Sequence, residues 1–305
     1  MAEKRIKLIV TGDSEKAALH RSLAQCFPTH TASGDSVVWD TPRKEAGVTS
    51  YRLKAGKPPS SSMKTLVNAM FAEALNSKQP KGTPPDLVIV VDDVELGNAG
   101  QEGVIVQAFQ TAVKDKLNAL QQQQSASTFS RIQARIQTAC SFHLLCPMVE
   151  SYFFADSATL AVGGVAASIS PRLLHPTNVE QFDASPDLHP AWQALCQREN
   201  SRQHSLEHLW WQTERHPKHY LSHLLDISGV EGYFETTLGA QMIQALNWNR
   251  MAKTPTDSPI ISALLEDIWD WFGQTPLLGD CVGQSSPATY QVRTLRPTQR
   301  LLRNI

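Results

Sequence analysis

The sequence lacks the cysteine pattern of a secreted or zinc-binding protein. Its five cysteines are an odd number at irregular spacing, and no two of them form a CxxC pair: Cys26, Cys140, Cys146, Cys196 and Cys281. Such spacing provides neither a disulfide framework nor a cysteine-based metal site. A reducing, cytoplasmic location is therefore the expectation.

The sequence also lacks an excess of charge and a long apolar run. Its 28 basic and 29 acidic residues give a formal net charge of -1, so any contact with nucleic acid must come from local patches. No stretch of eighteen apolar residues occurs, and the apolar run near the first residue is too short for a signal peptide, so we expect neither a membrane span nor export. The 41% hydrophobic and 19% charged residues are typical of a soluble globular protein.

One segment carries a clear chemical signal. Residues 86–95 read Asp-Leu-Val-Ile-Val-Val-Asp-Asp-Val-Glu, an apolar β-branched run followed by Asp92, Asp93 and Glu95. A run with no polar face predicts an interior strand of a parallel sheet, whose carboxyl end opens into a crevice. Clustered carboxylates repel one another unless a cation or a shared proton relieves them, and hard oxygen ligands suit Mg²⁺, Mn²⁺ or Ca²⁺. A polar strand end followed by a turn is the alternative interpretation.

The order of predicted elements indicates the fold class. Apolar strands alternate with helices through the first half of the chain, which predicts an α/β fold with a mostly parallel sheet flanked by helices. Predicted strands lie at about 6–11, 37–39, 48–53, 86–91 and 141–146. Beyond these, helices are predicted at about 191–197, 217–225, 235–250 and 260–272, with no convincing strand. We therefore predict an α/β domain over 1–165, a helical C-terminal subdomain over 166–275 and a basic tail over 276–305.

Four segments together resemble a known family. They are Val10-Thr11-Gly12-Asp13-Ser14-Glu15, Val90-Val91-Asp92-Asp93-Val94-Glu95, the run from His143 through Cys146-Pro147 and Glu150 to Asp156, and His216-Pro217-Lys218-His219-Tyr220-Leu221. In this order they are similar to the TOPRIM-like proteins related to the overcoming-lysogenization-defect nucleases, and within them to a bacterial branch described as a domain of unknown function. The resemblance spans roughly residues 5–272, and the third segment is its most specific part.

The resemblance implies a fold, a chemistry and a biological setting. A TOPRIM fold is a compact parallel sheet whose carboxylates hold Mg²⁺ or Mn²⁺ for cleaving or joining phosphodiesters of DNA or RNA. The family implies a role in bacterial anti-phage defence, often beside a partner ATPase.

Candidate site residues follow from this comparison. We expect Glu15, Asp92 and Asp93 to coordinate metal and act in catalysis, with Glu95 and Glu150 as ligands of a second metal or as outer-shell groups. Such ions, about 4 Å apart, would stabilise the attacking and leaving oxygens of a phosphoryl transfer. Lys218, just inside a helix begun by Pro217, is the candidate for neutralising the scissile phosphate. Because Glu150 and Asp156 are six residues apart, they do not share a helical face, and one of them is expected to be structural.

The sequence departs from the family pattern at two points. Thr11 stands where the family normally has its central glutamate, and Asp-Asp-Val-Glu replaces the usual Asp-x-Asp. A threonine hydroxyl is a weak neutral ligand, so metal affinity and rate should fall unless Glu15 or Glu95 compensates. The alternative interpretation of Glu15 is an ordinary acid near a helix N-terminus. Three hypotheses remain: an active nuclease, a non-catalytic TOPRIM module that binds nucleic acid or the ATPase, and a phosphatase or nucleotide-processing enzyme.

Other features have weaker interpretations. The tail after residue 280 has no acid, and its arginines recur at intervals of three or four: Arg293, Arg296, Arg300 and Arg303. They form a candidate nucleic-acid contact, with an acidic partner surface or solubility as equal alternatives. His216, His219 and His223 have the spacing of one helix face, where a solvated face is favoured over a metal site. Packing is favoured over base stacking for Trp210 and Trp211.

Overall fold

The computed structural model describes residues 2–75, 83–184, 190–201, 213–251 and 258–273. They form an α/β fold in which helices flank a parallel five-stranded sheet, as the sequence predicts. In these ranges no helix is long and apolar enough to cross a membrane.

The sheet is built around one interior strand. Its order is β2-β1-β4-β5, and the short β3 extends the sheet beside the end of β1. All strand pairs run parallel, with Ile6 to Val10 of β1 opposite Leu87 to Val91 of β4. Every residue of β4 is buried, as expected for a strand covered on both faces. The strands are β1 (Glu3–Val10), β2 (Ser36–Trp39), β3 (Arg43–Lys44), β4 (Leu87–Asp93) and β5 (Cys140–Leu145).

The helices follow the predicted order with shifted ends. They are α1 (Asp13–Ala24), α2 (Ser61–Leu75), α3 (Glu102–Gln123), α4 (Ala126–Ala139), α5 (Ser157–Gly163), α6 (Pro190–Ser201), α7 (Pro217–Ile227), α8 (Ala240–Ala245), α9 (Trp248–Met251) and α10 (Pro259–Phe272). The predicted helix over 235–250 is divided into a π-helical turn at Glu235–Gly239, α8 and α9. The helix α3 continues through the glutamines at 121–123 and ends at Gln123.

Two hydrophobic cores cover the two faces of the sheet. Successive side chains of a strand point to opposite faces. Leu87, Ile89 and Val91 accordingly pack with α1 and the C-terminal helices, whereas Val88 and Val90 pack with α2, α3 and α4. The carboxyl ends of β1 and β4 lie between these layers.

The C-terminal helices share the first core with the sheet. Leu221 of α7, Ile243 of α8 and Leu264 of α10 belong to the same buried cluster as the β1 side chains. Asp267 of α10 and His143 of β5 are both fully buried, and Asp267 Oδ2 is hydrogen-bonded to His143 Nε2 at 3.0 Å. The described residues after 145 contain helices and no strand, so the helical prediction for this half is confirmed. The boundaries at 165 and 275 stay a prediction.

The predicted strand over 48–53 is wrong. This segment is a loop, because the side chain of one buried residue occupies its backbone polar groups. The Asn98 amide donates to the carbonyl oxygens of Thr49 and Tyr51 at 2.8 and 3.2 Å and accepts from the Leu53 N–H at 2.7 Å. These bonds replace a strand ladder.

Candidate functional site: an acidic cleft at the sheet edge

A cleft of about 210 Å³ opens at the carboxyl ends of β1 and β4. Its position follows from the parallel topology, because the strand ends meet at one edge and the loops beyond them leave a crevice. Acidic, hydroxyl-bearing and basic side chains contribute to its wall. The lining residues are Thr11, Gly12, Asp13, Ser14, Glu15, Lys44, Gly47, Thr49, Ser50, Asp92, Asp93, Glu95, Glu150, Lys218 and Glu235.

The two aspartates at the end of β4 have different surroundings. Asp92 accepts hydrogen bonds on both oxygens. The Thr11 hydroxyl donates to Oδ1 at 2.5 Å. The Val48 N–H and the Thr49 hydroxyl donate to Oδ2 at 3.3 and 3.4 Å. Burial raises the pKa of Asp92 to about 7, against the lowering effect of these bonds. Asp92 is thus a satisfied carboxylate that joins β1, β4 and the loop after β3.

Asp93 belongs to the more crowded part of the cluster. Adjacent residues of a strand point to opposite faces, so Asp93 is directed toward the α1 layer. It accepts one hydrogen bond, from the Val149 N–H at 3.2 Å on Oδ1. Burial raises the pKa of Asp93 well above its ordinary value, and repulsion from Glu15, Glu95 and Glu150 adds to the increase.

Glu15 is brought into the cleft by the first turn of α1. The Ser14 hydroxyl donates to Glu15 Oε2 at 2.8 Å, and burial raises the pKa of the carboxyl. Gly12 is required by this arrangement, because a Cβ at that position would overlap the Glu15 carboxylate. The helix-terminus interpretation accounts for the position of Glu15 in the first turn, but not for its burial.

Glu95 adopts a strained backbone conformation at the cleft. Its φ of 60° and ψ of 150° lie in a region that is essentially restricted to glycine, and it is the one non-glycine residue with positive φ in the described ranges. Its N–H donates to the Pro147 carbonyl at 2.7 Å, and its own carbonyl accepts from Asn98 at 3.0 Å. Strain of this kind recurs at functional sites and costs on the order of 1–3 kcal/mol.

The opposite wall comes from the C-terminal half. Glu150 is almost fully buried, and its Oε1 accepts from the Tyr233 hydroxyl at 3.0 Å. Lys218 Nζ lies 3.7 Å from the same oxygen and 2.8 Å from Glu235 Oε1. Glu150 Oε2 is buried and has no hydrogen-bond partner among the residues that the structure describes. An unsatisfied carboxylate oxygen is costly, so it marks a position where a ligand would stabilise the protein.

The charges of the cleft are unbalanced. Six carboxylates besides Asp13 line it, whereas Lys218 is the ammonium group in contact with them and Lys44 is paired with Asp13. Burial raises the pKa of Glu150 to about 7 and also raises that of Glu95, with Lys218 opposing both increases. Burial lowers the pKa of Lys218, but attraction to Glu150 and bonding to Glu235 outweigh it and raise the pKa overall. A further cation in the cleft would relieve the remaining repulsion.

The cleft fits a hard divalent cation in its donor chemistry but not in preformed geometry. Carboxylate oxygens are the ligands that Mg²⁺ and Mn²⁺ prefer. However, among the residues that the structure describes, no group of three or more His, Cys, Asp or Glu side chains is arranged to hold a metal ion. Binding would require these side chains to move closer together around one point.

The structure brings most of the predicted site residues together and assigns others elsewhere. Glu15, Asp92, Asp93, Glu95, Glu150 and Lys218 all line the cleft. Asp156 is the structural member of its pair, since it caps α5 by accepting from the Ala158 N–H at 3.1 Å. Arg293, Arg296, Arg300 and Arg303 lie outside the described residues, as do Trp210 and Trp211.

Several site residues were missed by the sequence analysis. Tyr233, Glu235 and Thr49 carry no local motif, and each comes to the cleft from a different loop or turn. Lys44, at the rim, belongs to a two-residue strand. Two of these four residues lie far from the other two in the sequence, and only the tertiary fold brings them together at the cleft.

The described histidines at 216, 219 and 223 lie away from this cleft. The His216 and His219 rings stack at 4.0 Å, and burial lowers the pKa of His216 to about 3. His223 lies against the Trp192 ring at 5.2 Å. The four cysteines in the described part of the chain are buried and free. None of these side chains lines the cleft.

Comparisons with protein-family models, with curated proteins and with solved structures found no match to this chain.

Proposed function

We propose that the chain is a divalent-metal-dependent nucleic-acid endonuclease whose active site is the acidic cleft. The observation that carries this proposal is the buried, unpartnered Oε2 of Glu150 in a cleft with five further carboxylates beside it. A neutral or anionic ligand would not relieve this excess of negative charge, whereas Mg²⁺ or Mn²⁺ would.

The cleft residues divide the chemistry between them. Asp93, Glu15 and Glu150 are the proposed metal ligands, with Glu95 beside them. Asp92 positions the loop that contains Thr49. When bound, the metal supplies Lewis-acid stabilisation of the charge that develops during phosphoryl transfer. Lys218 contacts Glu150 and Glu235 in the absence of substrate and is positioned to neutralise a phosphate oxygen instead.

A second candidate function is a non-catalytic TOPRIM-like module. It is favoured by the Thr11 hydroxyl, which donates to Asp92 at 2.5 Å at the position where the family has a carboxylate. In this alternative, Lys218 stays paired with Glu150 and Glu235, and the cleft binds without cleaving. Bacterial anti-phage defence and a partner ATPase belong to the same proposal in either form, and the sequence resemblance is their support.

The deciding experiment is cleavage of plasmid DNA and of tRNA with Mg²⁺ or Mn²⁺. We expect the native chain to cleave one of them and the double variant Asp93→Asn, Glu150→Gln to lose that activity. Asp226→Asn, an exposed carboxylate on α7 away from the cleft, is the matched control. Absence of cleavage by the native chain, together with activity in Thr11→Glu, would identify the degenerate module. Equal cleavage by the native chain and the double variant would overturn the proposed site.

A further inference from the structure

An exposed loop leaves the acidic cleft and carries an unusual combination of side chains. Thr49 and Ser50 line the cleft, and the next residue, Tyr51, is 85% exposed. A tyrosine ring so fully in water, one residue beyond a polar cleft, has no packing role in the described structure. Its ring offers a flat apolar surface to solvent, next in sequence to residues of the cleft wall.

The loop backbone is fixed although its side chains are exposed. Asn98 is fully buried and bonds to the backbone of Thr49, Tyr51 and Leu53. These three bonds hold the loop backbone at Tyr51 and on both sides of it. A rigid backbone reduces the entropy lost when an exposed side chain binds a ligand.

The charge of the segment has one sign. From residue 46 to residue 72 there is no acid, and the basic residues are Arg52, Lys54, Lys57 and Lys64. Lys54 and Lys57 line a groove of about 320 Å³ between the loop and α3, whose lining includes one acid, Asp115. The loop that contributes Thr49 and Ser50 to the acidic cleft therefore also carries basic side chains, which are complementary to the phosphates of a polyanion.

We propose that this loop, residues 49–57, binds a single strand of nucleic acid as it leaves the cleft. Tyr51 stacks on an unpaired base, and Lys54 and Lys57 contact the following phosphates. A single strand is favoured over a duplex because stacking on an exposed ring requires a base that is free of its own stack. The inference rests on the proposed function, because the strand is taken to leave the proposed active site toward the loop. Binding of the strand to the loop does not itself require cleavage.

Fluorescence anisotropy in EDTA tests binding without cleavage. The probes are fluorescein-labelled 20-nucleotide oligo(dT) and oligo(U), with a 20-base-pair duplex for comparison. Since stacking contributes about 1–3 kcal/mol per base, Tyr51→Ala should weaken single-strand binding by at least about fivefold, and Tyr51→Phe should restore it. Replacing Lys54 and Lys57 together by Glu should reduce the salt slope by about 1.4 for two lost single-strand phosphate contacts.

Two variants control for surface effects. Leu174→Ala removes another exposed apolar side chain, and Arg131→Glu reverses an exposed charge on α4. Neither variant should change the affinity for the single-stranded oligonucleotides.

Three outcomes would overturn the inference: the native chain binds neither oligonucleotide, the loop and control variants bind with equal affinity, or Tyr51→Ala weakens only the binding of the duplex. If Tyr51→Ala leaves oligonucleotide binding unchanged and alters only the sedimentation coefficient of the protein, Tyr51 contacts protein instead. That outcome would also overturn the inference. Retained binding without cleavage in Mg²⁺ or Mn²⁺ would overturn the nuclease proposal alone.

Discussion

Glu150 and Glu180 are both buried glutamates, and burial raises the pKa of each to about 7. Their hydrogen bonds differ. Glu180 accepts from the Tyr152 hydroxyl at 3.0 Å and from the Ile260 and Ile261 N–H groups at 3.0 and 2.8 Å, at the start of α10. Glu150 lines a cleft, and one of its oxygens has no partner in the described part of the chain. A raised pKa alone therefore does not identify a functional carboxylate, whereas missing partners at an opening do.

The largest expected effect is on the free energy of unfolding when Glu180, which binds the start of α10, is truncated. Glu180→Ala leaves three donors without an acceptor, so we expect it to lower the free energy of unfolding by about 3 kcal/mol or more. The same truncation at Glu150 leaves one donor, the Tyr233 hydroxyl, without this acceptor and also removes a repelling charge, so it should lower the free energy of unfolding by about 1 kcal/mol or less. Urea denaturation at pH 7 measures both values. Equal destabilisation by the two variants would remove the distinction between them.

The next largest effect is a pH dependence of stability that the two carboxylates share. Each folded-state pKa lies above its ordinary value of 4.5, so the folded protein binds more protons than the unfolded chain between about pH 4.5 and 7. Stability should be highest below this window and fall as the pH rises through it, by up to about 3 kcal/mol per group. Thermal unfolding measured across the window checks the slope.

A divalent cation should change the pH dependence of the free energy of unfolding only through the carboxylates of the cleft. Mg²⁺ favours ionised carboxylates in the cleft, so it should flatten the pH dependence of the native chain and of Glu180→Gln. In Glu150→Gln the flattening should be smaller. A flattening that is independent of Glu150 would mean that Mg²⁺ acts elsewhere.

The smallest expected effect concerns the strained Glu95. Because φ is +60° there, Glu95→Gly should raise the free energy of unfolding by about 1 kcal/mol relative to Glu95→Ala, which loses the same carboxylate and keeps the strain. Paired denaturation curves of the two variants give this difference. If alanine is as stable as glycine, the backbone at this corner of the cleft is not strained.

The sequence was informative where local pattern decides the structure. The apolar run of β4 predicts a buried interior strand, and its carboxyl end indicates the cleft, because parallel topology brings strand ends together. The period of two places Asp92 and Asp93 on opposite faces of β4, although the sequence led us to expect the same metal-binding role for both.

The remaining parts depend on contacts between distant segments. The loop over 48–53 has strand-like composition, but Asn98, about fifty residues later, binds its backbone. Tyr233 and Glu235 approach Glu150 and Lys218 only through the packing of the C-terminal helices on the sheet. No spacing rule along the chain predicts either arrangement.

The most direct test of the account is calorimetric titration of Mn²⁺ into the native chain, Glu150→Gln and Glu180→Gln. We predict that the native chain and Glu180→Gln bind Mn²⁺ alike, and that Glu150→Gln binds at least about tenfold more weakly. No binding to the native chain, or equal binding to all three, would contradict the claim that the unsatisfied carboxylate of Glu150 marks a divalent-cation site.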